Sequence, residues 1–136
     1  MAKFSTFKDS DGYRQALLEK KDPKKKRIRI CMTGCRAHGA KEIKESLEKE
    51  IKVAKIDTEI VPTGCQGFCA RAPVLTIDPD NIFYHEMEVE DVKDIVQKTL
   101  IEGKLVERLL YKDSKDKTIA HIDEIPFYRD QTKIVL

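Results

Sequence analysis

Apolar and polar residues alternate over 27–30, with Ile28 and Ile30 on one parity and Arg27 and Arg29 on the other, and the run leads straight into Cys31. That period of two predicts a strand with one buried face. Over 37–51 the period changes. Ala40, Ile43, Leu47 and Ile51 recur every three or four positions, with Glu42, Lys44, Glu45, Glu48 and Lys49 between them, which predicts an amphipathic helix. Alternation returns over 53–62 through Ile56, Thr58, Ile60 and Pro62, predicting a second strand that ends just before Cys65. Residues 73–77 and 82–84 are short apolar runs joined by Asp78-Pro79-Asp80-Asn81, a dense set of turn formers that predicts a hairpin. Val89, Val92, Ile95, Val96, Leu100 and Ile101 then repeat at helical spacing up to Gly103, where a helix stop is expected.

The resulting order is β-α-β-β-β-α. A β-α-β unit crosses over with right-handed sense and pairs its strands in parallel, whereas the hairpin adds antiparallel strands. The expected fold is therefore α/β and thioredoxin-like: a mixed four-stranded sheet flanked by two helices, with an extended C-terminal tail. Residues 1–26 read as a polar, flexible leader with one short helix around Tyr13, Ala16, Leu17 and Leu18, stopped by Pro23. Residues 27–103 form the sheet domain. In the tail, 104–136, Leu105-Val106, Leu109-Leu110-Tyr111, Ile125-Pro126-Phe127-Tyr128 and Ile134-Val135-Leu136 are apolar pieces expected to dock one by one.

Composition narrows the function. The chain has 136 residues, 26 Lys plus Arg against 24 Asp plus Glu, and a net charge of +2. So balanced a charge gives no field that would define a nucleic-acid binder or a membrane-surface protein. The basic run from Lys20 to Arg27 has no aromatic residues interleaved for base stacking and reads as a solvated linker. No uncharged stretch approaches the roughly 18 apolar residues of a membrane span, and the first residues lack the pattern of a secretory signal. A cytoplasmic location is expected, where thiols stay reduced and serve metal or redox chemistry.

Four cysteines then carry the chemistry. Cys31 and Cys35 have three residues between them, and so do Cys65 and Cys69. Four thiolates complete the shell of either a zinc ion or an iron-sulfur cluster. A dithiol oxidoreductase normally has two residues between its cysteines and ranks third. Gly34, Gly39, Gly64 and Gly67 sit at or beside the cysteines, and backbone amides brought close to sulfur suit the many acceptor atoms of a cluster. On residue chemistry iron-sulfur stands narrowly ahead of zinc, which also gains from such bonds. Met32, Phe68, Ala70, Ala72 and Pro73 would screen water from one side, although Phe68 equally suits ordinary core packing. His38, His85 and His121 are scattered and are expected at the surface. His38, close to Cys35, has the best claim to support the site. Lys104, Arg108 and Arg129 are read as a solvated face. No triad or spaced carboxylate pair supports hydrolysis.

At Ile30-Cys31-Met32-Thr33-Gly34-Cys35-Arg36-Ala37, Thr63-Gly64-Cys65-Gln66-Gly67-Phe68-Cys69 and Arg71-Ala72-Pro73 the chain resembles the thioredoxin-like [2Fe-2S] ferredoxins. More closely, it resembles the ferredoxin-like N-terminal segment of the NADH-binding flavoprotein subunits of bacterial iron hydrogenases, related formate dehydrogenases and complex I. That similarity continues through Val106-Glu107-Arg108-Leu109-Leu110-Tyr111, Ile125-Pro126-Phe127-Tyr128 and Gln131-Thr132-Lys133-Ile134-Val135-Leu136. The resemblance implies a [2Fe-2S] cluster held by Cys31, Cys35, Cys65 and Cys69, used for one-electron transfer within an NADH-linked hydrogenase or dehydrogenase complex. The alternative is a structural zinc module that presents the tail for assembly. The implied partners are a flavin/NADH-binding domain or subunit, other iron-sulfur subunits and a second copy of the chain in a homodimer; neither nucleic acid nor a membrane span is expected. Two features depart from the family. The first cysteine pair often has four intervening residues there and has three here, and no glycine-rich nucleotide loop or flavin domain occurs in this chain. A stand-alone carrier or an excised domain is the resulting expectation, and it accounts for the apolar end.

Overall fold

The structure is a computed structural model and describes residues 6–20, 22 and 24–132. Helix α1, Phe7–Glu19, opens on a capping box in which the Thr6 hydroxyl accepts from the Asp9 amide and the Asp9 carboxylate accepts from the Thr6 amide. None of its residues is buried. The stop expected at Pro23 lies outside the described residues.

Strand β1, Arg27–Cys31, occupies the predicted span. It pairs in parallel with β2, Glu59–Thr63, and antiparallel with β3, Leu75–Asp78, which pairs antiparallel with β4, Ile82–Tyr84. The order is β2-β1-β3-β4, the mixed four-stranded sheet expected from the pattern. Directly paired residues share a face, so Ile28 with Ile77, and Ile30 with Leu75 and through it Tyr84, define one side. Helix α2, Ala40–Ala54, packs on β1 and buries Ala40, Ile43, Leu47 and Ile51, the residues its spacing singled out. Helix α3, Asp91–Asp94, continues as a π-helical segment, Ile95–Ile101, and packs on α2.

Three local expectations are corrected. The second strand begins at Glu59, because α2 runs on to Ala54 and closes with Lys55 in the left-handed region, leaving Val53 on an exposed helical turn. Val89 and Ile101 are exposed, whereas Val92, Ile95, Val96 and Leu100 are buried. Val89 precedes the helix, and the wider π turns move the last residue off the buried stripe. His85 is buried, at 8% exposure.

Residues after Gly103 return to the sheet instead of running free. A hairpin of β5, Tyr111–Lys112, and β6, Thr118–Ile119, is followed by a short helix α4, Pro126–Arg129. Val106, Leu109, Leu110, Ile119 and Ile125 join the same core as the sheet. Backbone bonds run from the Phe83 amide to Ala120, from the His85 amide to Leu109 and from the Ile122 amide to Asn81. The open edge of β4 is thus covered, removing a row of unpaired donors and acceptors. Inside, Tyr84 Oη and Thr99 Oγ1 share a hydrogen bond of 2.7 Å, and the Val106 amide donates to the same Tyr84 oxygen at 3.0 Å. This ties the tail to both the sheet and the π segment. The apolar run Ile134-Val135-Leu136 lies outside the described residues.

His85 owes its burial to this cover. Its Nε2 faces the Leu110 carbonyl at 3.3 Å and its Nδ1 lies 2.9 Å from Glu86 Oε2. Burial depresses its pKa, outweighing the Glu86 carboxylate and the Leu110 carbonyl, which favour the charged ring; Arg71 adds a smaller push downward. In the unfolded chain the imidazole takes up a proton near pH 6.5, so below that pH the unfolded state binds more protons than the folded one. The stability this group contributes is complete above about pH 6.5 and is lost as pH falls through the folded pKa. Urea midpoints of the metal-free protein should therefore fall on acidification below about pH 6.5, and His85→Gln should fall less steeply. Parallel curves for the two proteins would refute this.

Candidate metal centre

Both cysteine pairs stand at one end of the sheet because β1 and β2 are parallel and end in register, Cys31 opposite Thr63. Cys31 is the last residue of β1, and Cys35 lies in the 3-10 turn Gly34–His38 that follows. Cys65 follows β2 by two residues, and Cys69 opens the 3-10 turn Cys69–Arg71. Cys31 and Cys35 are buried, whereas Cys65 and Cys69 are exposed.

Cys65 Sγ and Cys69 Sγ lie 3.9 Å apart. Two thiolates on one tetrahedral metal with bonds of about 2.3 Å would lie about 3.8 Å apart, so this pair already has the spacing to share one ion. The loops meet at Gly34, where a Cβ would stand 3.4 Å from Cys69 Sγ. A side chain there would crowd the space between the two pairs. Among the described residues, no three His, Cys, Asp or Glu groups close on a single ion. Thiols supplied as two close pairs by two facing loops can serve either a dinuclear centre, with one pair on each metal, or a single ion.

Donors aimed at sulfur complete the site. The Gly67 amide donates to Cys65 Sγ at 3.3 Å, from a φ of +78° that favours glycine. Thr33 Oγ1 lies 3.3 Å from Cys31 Sγ. Burial pushes the Cys31 thiol up, but hydrogen bonds from the side chain and backbone of Thr33, and then from Cys35, overcome it and leave the pKa lowered to about 7. Burial raises Cys35 to about 11 despite the Val74 backbone bond, with further upward pushes from Cys31 and Cys69. Cys69 is raised by its hydrogen bond and charge interaction with Cys65, and less by burial and Cys31. These mutual effects join all four sulfurs into one electrostatic unit, and thiolates that repel one another are relieved by a bound cation.

Phe68, between the second pair, is half-buried in an aromatic group, its ring stacked on Phe127 at 4.9 Å and tilted against Phe83 at 5.9 Å. Phe68 thus packs against the core, as ordinary packing predicts, from a position between Cys65 and Cys69. Pro73 is buried, Met32 and Ala72 are half-buried, and Ala70 is exposed. His38 and His121 are exposed, and His121 Nδ1 meets the Asp80 carbonyl at 2.7 Å. Arg108 pairs with Asp91, Arg129 with Asp130 and Lys104 with Glu102. Tyr128 belongs to the apolar piece Ile125-Pro126-Phe127-Tyr128, and nothing in its local sequence marks it as a site residue. Its pKa is raised to about 12 by burial and then by the charges of Cys31, Cys35, Cys65 and Cys69.

The sequence model of the thioredoxin-like [2Fe-2S] ferredoxin family matches residues 13–100. A 2Fe-2S ferredoxin of Aquifex aeolicus (strain VF5) is 34% identical over 84 residues, spanning 60% of this chain and 76% of that protein. One from Clostridium pasteurianum is 29% identical over 97 residues, spanning 62% and 94%. Among solved structures, the wild-type thioredoxin-like [2Fe-2S] ferredoxin from Aquifex aeolicus superimposes with a TM-score of 0.61 at 30% identity, covering 65% of this chain and 98% of that one. The thioredoxin-like fold expected from the strand and helix order is the fold of that neighbour.

Proposed function

Since this chain belongs to the thioredoxin-like [2Fe-2S] ferredoxin family and has a [2Fe-2S] cluster as its cofactor and electron transfer as its work, we propose that Cys31 and Cys35 hold one iron and Cys65 and Cys69 the other. The observation that carries this assignment is the convergence of four thiols, in two pairs, from the ends of two parallel strands. When bound, the cluster supplies a single-electron couple. The chain's own residues do the rest. Burial of Cys31 and Cys35 excludes water from one side, while exposed Cys65 and Cys69 leave a short path for an electron to a docked partner. The Gly67 amide and Thr33 hydroxyl neutralise part of the charge on sulfur.

We assign residues 27–103 to the cluster domain, 1–26 to a leader, and 104–136 to a tail leading toward a flavin/NADH-binding domain or subunit, the electron partner, alongside other iron-sulfur subunits. The resemblance of residues 106–111 and 125–128 to the flavoprotein subunits of hydrogenases and complex I supports this context. The reducing cytoplasm is the compartment that suits four free thiols. Among the described residues, no helix is long and apolar enough to cross a membrane.

Anaerobically purified protein should be red-brown, contain about two irons per chain, bleach on dithionite reduction and then show the EPR signal of a reduced [2Fe-2S] centre. A colourless protein with one zinc would overturn the assignment and favour an assembly module.

A further inference from the structure

The aromatic group over the cysteine loops includes residues beyond 100, where the family match ends. The Tyr128 ring stands edge-on to Phe68 at 5.8 Å and to Phe127 at 5.0 Å, and at 62° to Phe83 at 5.8 Å. Three rings therefore fix its direction. Its Oη is buried and, among the described residues, has no hydrogen-bond partner. A buried hydroxyl left in that state is costly. The Phe68 ring it stands against lies between Cys65 and Cys69, and the charges of all four thiols act on the hydroxyl, so the unpartnered group lies on the side of the cysteine loops, where cluster sulfur would supply acceptors. The same hydroxyl keeps its proton and remains a donor at neutral pH, since its pKa is about 12.

We propose that the Tyr128 hydroxyl donates a hydrogen bond to a sulfur of the [2Fe-2S] centre, so that the C-terminal segment sets the reduction potential of a cluster whose ligands all lie earlier in the chain. Reduction adds negative charge to the sulfurs, and a donor aimed at them favours the reduced form. The inference rests on the cluster assignment above and adds to it a residue that the ferredoxin match does not reach.

The test is a potentiometric titration of the cluster-loaded full chain, wild type against Tyr128→Phe, followed by EPR. The variant keeps the ring and loses the donor. At a fixed potential its oxidised-to-reduced ratio should rise about tenfold, a midpoint about 59 mV lower for a one-electron couple. The shift of the iron-sulfur resonance Raman bands in deuterated water should also shrink. Equal midpoints in two proteins that both show the reduced signal would overturn the role of Tyr128 alone; absence of that signal from the wild type would overturn the cluster assignment itself. Should Tyr128→Phe fail to load, wild-type chain made with 3-fluorotyrosine, a stronger donor of nearly the same shape, should show a raised midpoint. An unchanged midpoint there would likewise overturn the proposal.

Discussion

Cys65→Ala is expected to fold normally yet hold almost no iron, falling from about two atoms per chain to near none, with loss of visible colour and of the reduced EPR signal. Cys65 is exposed in the loop after β2 and lies outside the core cluster. Its removal therefore costs no packing, and the metal-free variant should unfold within about 0.5 kcal/mol of metal-free wild type. What is lost is half of the 3.9 Å thiol pair. On the proposed assignment Cys69 would be left as the single protein ligand of its iron, because Cys31 and Cys35 would hold the other. Alanine is preferred to serine because it leaves no oxygen donor. Retention of full iron content with an unaltered spectrum would remove Cys65 from the ligand set. Collapse of the fold in the metal-free state would make the loop structural.

Phe83→Ala should have the largest effect on stability, about 3–5 kcal/mol, read as a drop in the urea midpoint of the metal-free protein. Phe83 is fully buried at the middle of β4 and meets Phe68, His85 and Tyr128. It points to the side of the sheet opposite Tyr84, so it supports the aromatic group that walls the cysteine loops. Because net stability of a domain is about 5–15 kcal/mol, this deletion removes a sizeable fraction of it. The cavity would also loosen Phe68 beside Cys69 and speed release of the cluster. A loss under about 1 kcal/mol would show that the neighbouring rings refill the space.

The strand and helix periods were legible because each element has one face in the core. Ile28 and Ile30 on β1, and Ile43, Leu47 and Ile51 on α2, are buried where alternation and helical spacing put them. Boundaries were less so. Nothing in 51–58 marks the extra turn of α2, since Val53 and Ile56 suit a strand or a helix until the pairing of β2 with β1 decides between them. His85 looked like a surface residue because its burial depends on Leu109 and Leu110, more than twenty positions later, lying across it.

Residue order by itself determined the sequence of strands and helices, the parallel sense of the β-α-β pair and the antiparallel sense of the hairpin, the presence of four thiols in two close pairs and the glycines that let amides approach them, because these depend on local spacing and on a crossover whose hand is set by chain chirality. Tertiary structure alone decided that β1 lies between β2 and β3, that the two pairs meet across Gly34, that one pair is buried and the other exposed, and that Tyr128, from the far end of the chain, packs on Phe68 between Cys65 and Cys69. The reason is physical: a pattern of polar and apolar residues states which side of an element seeks the core, but which distant segment covers that side is settled when the whole chain packs.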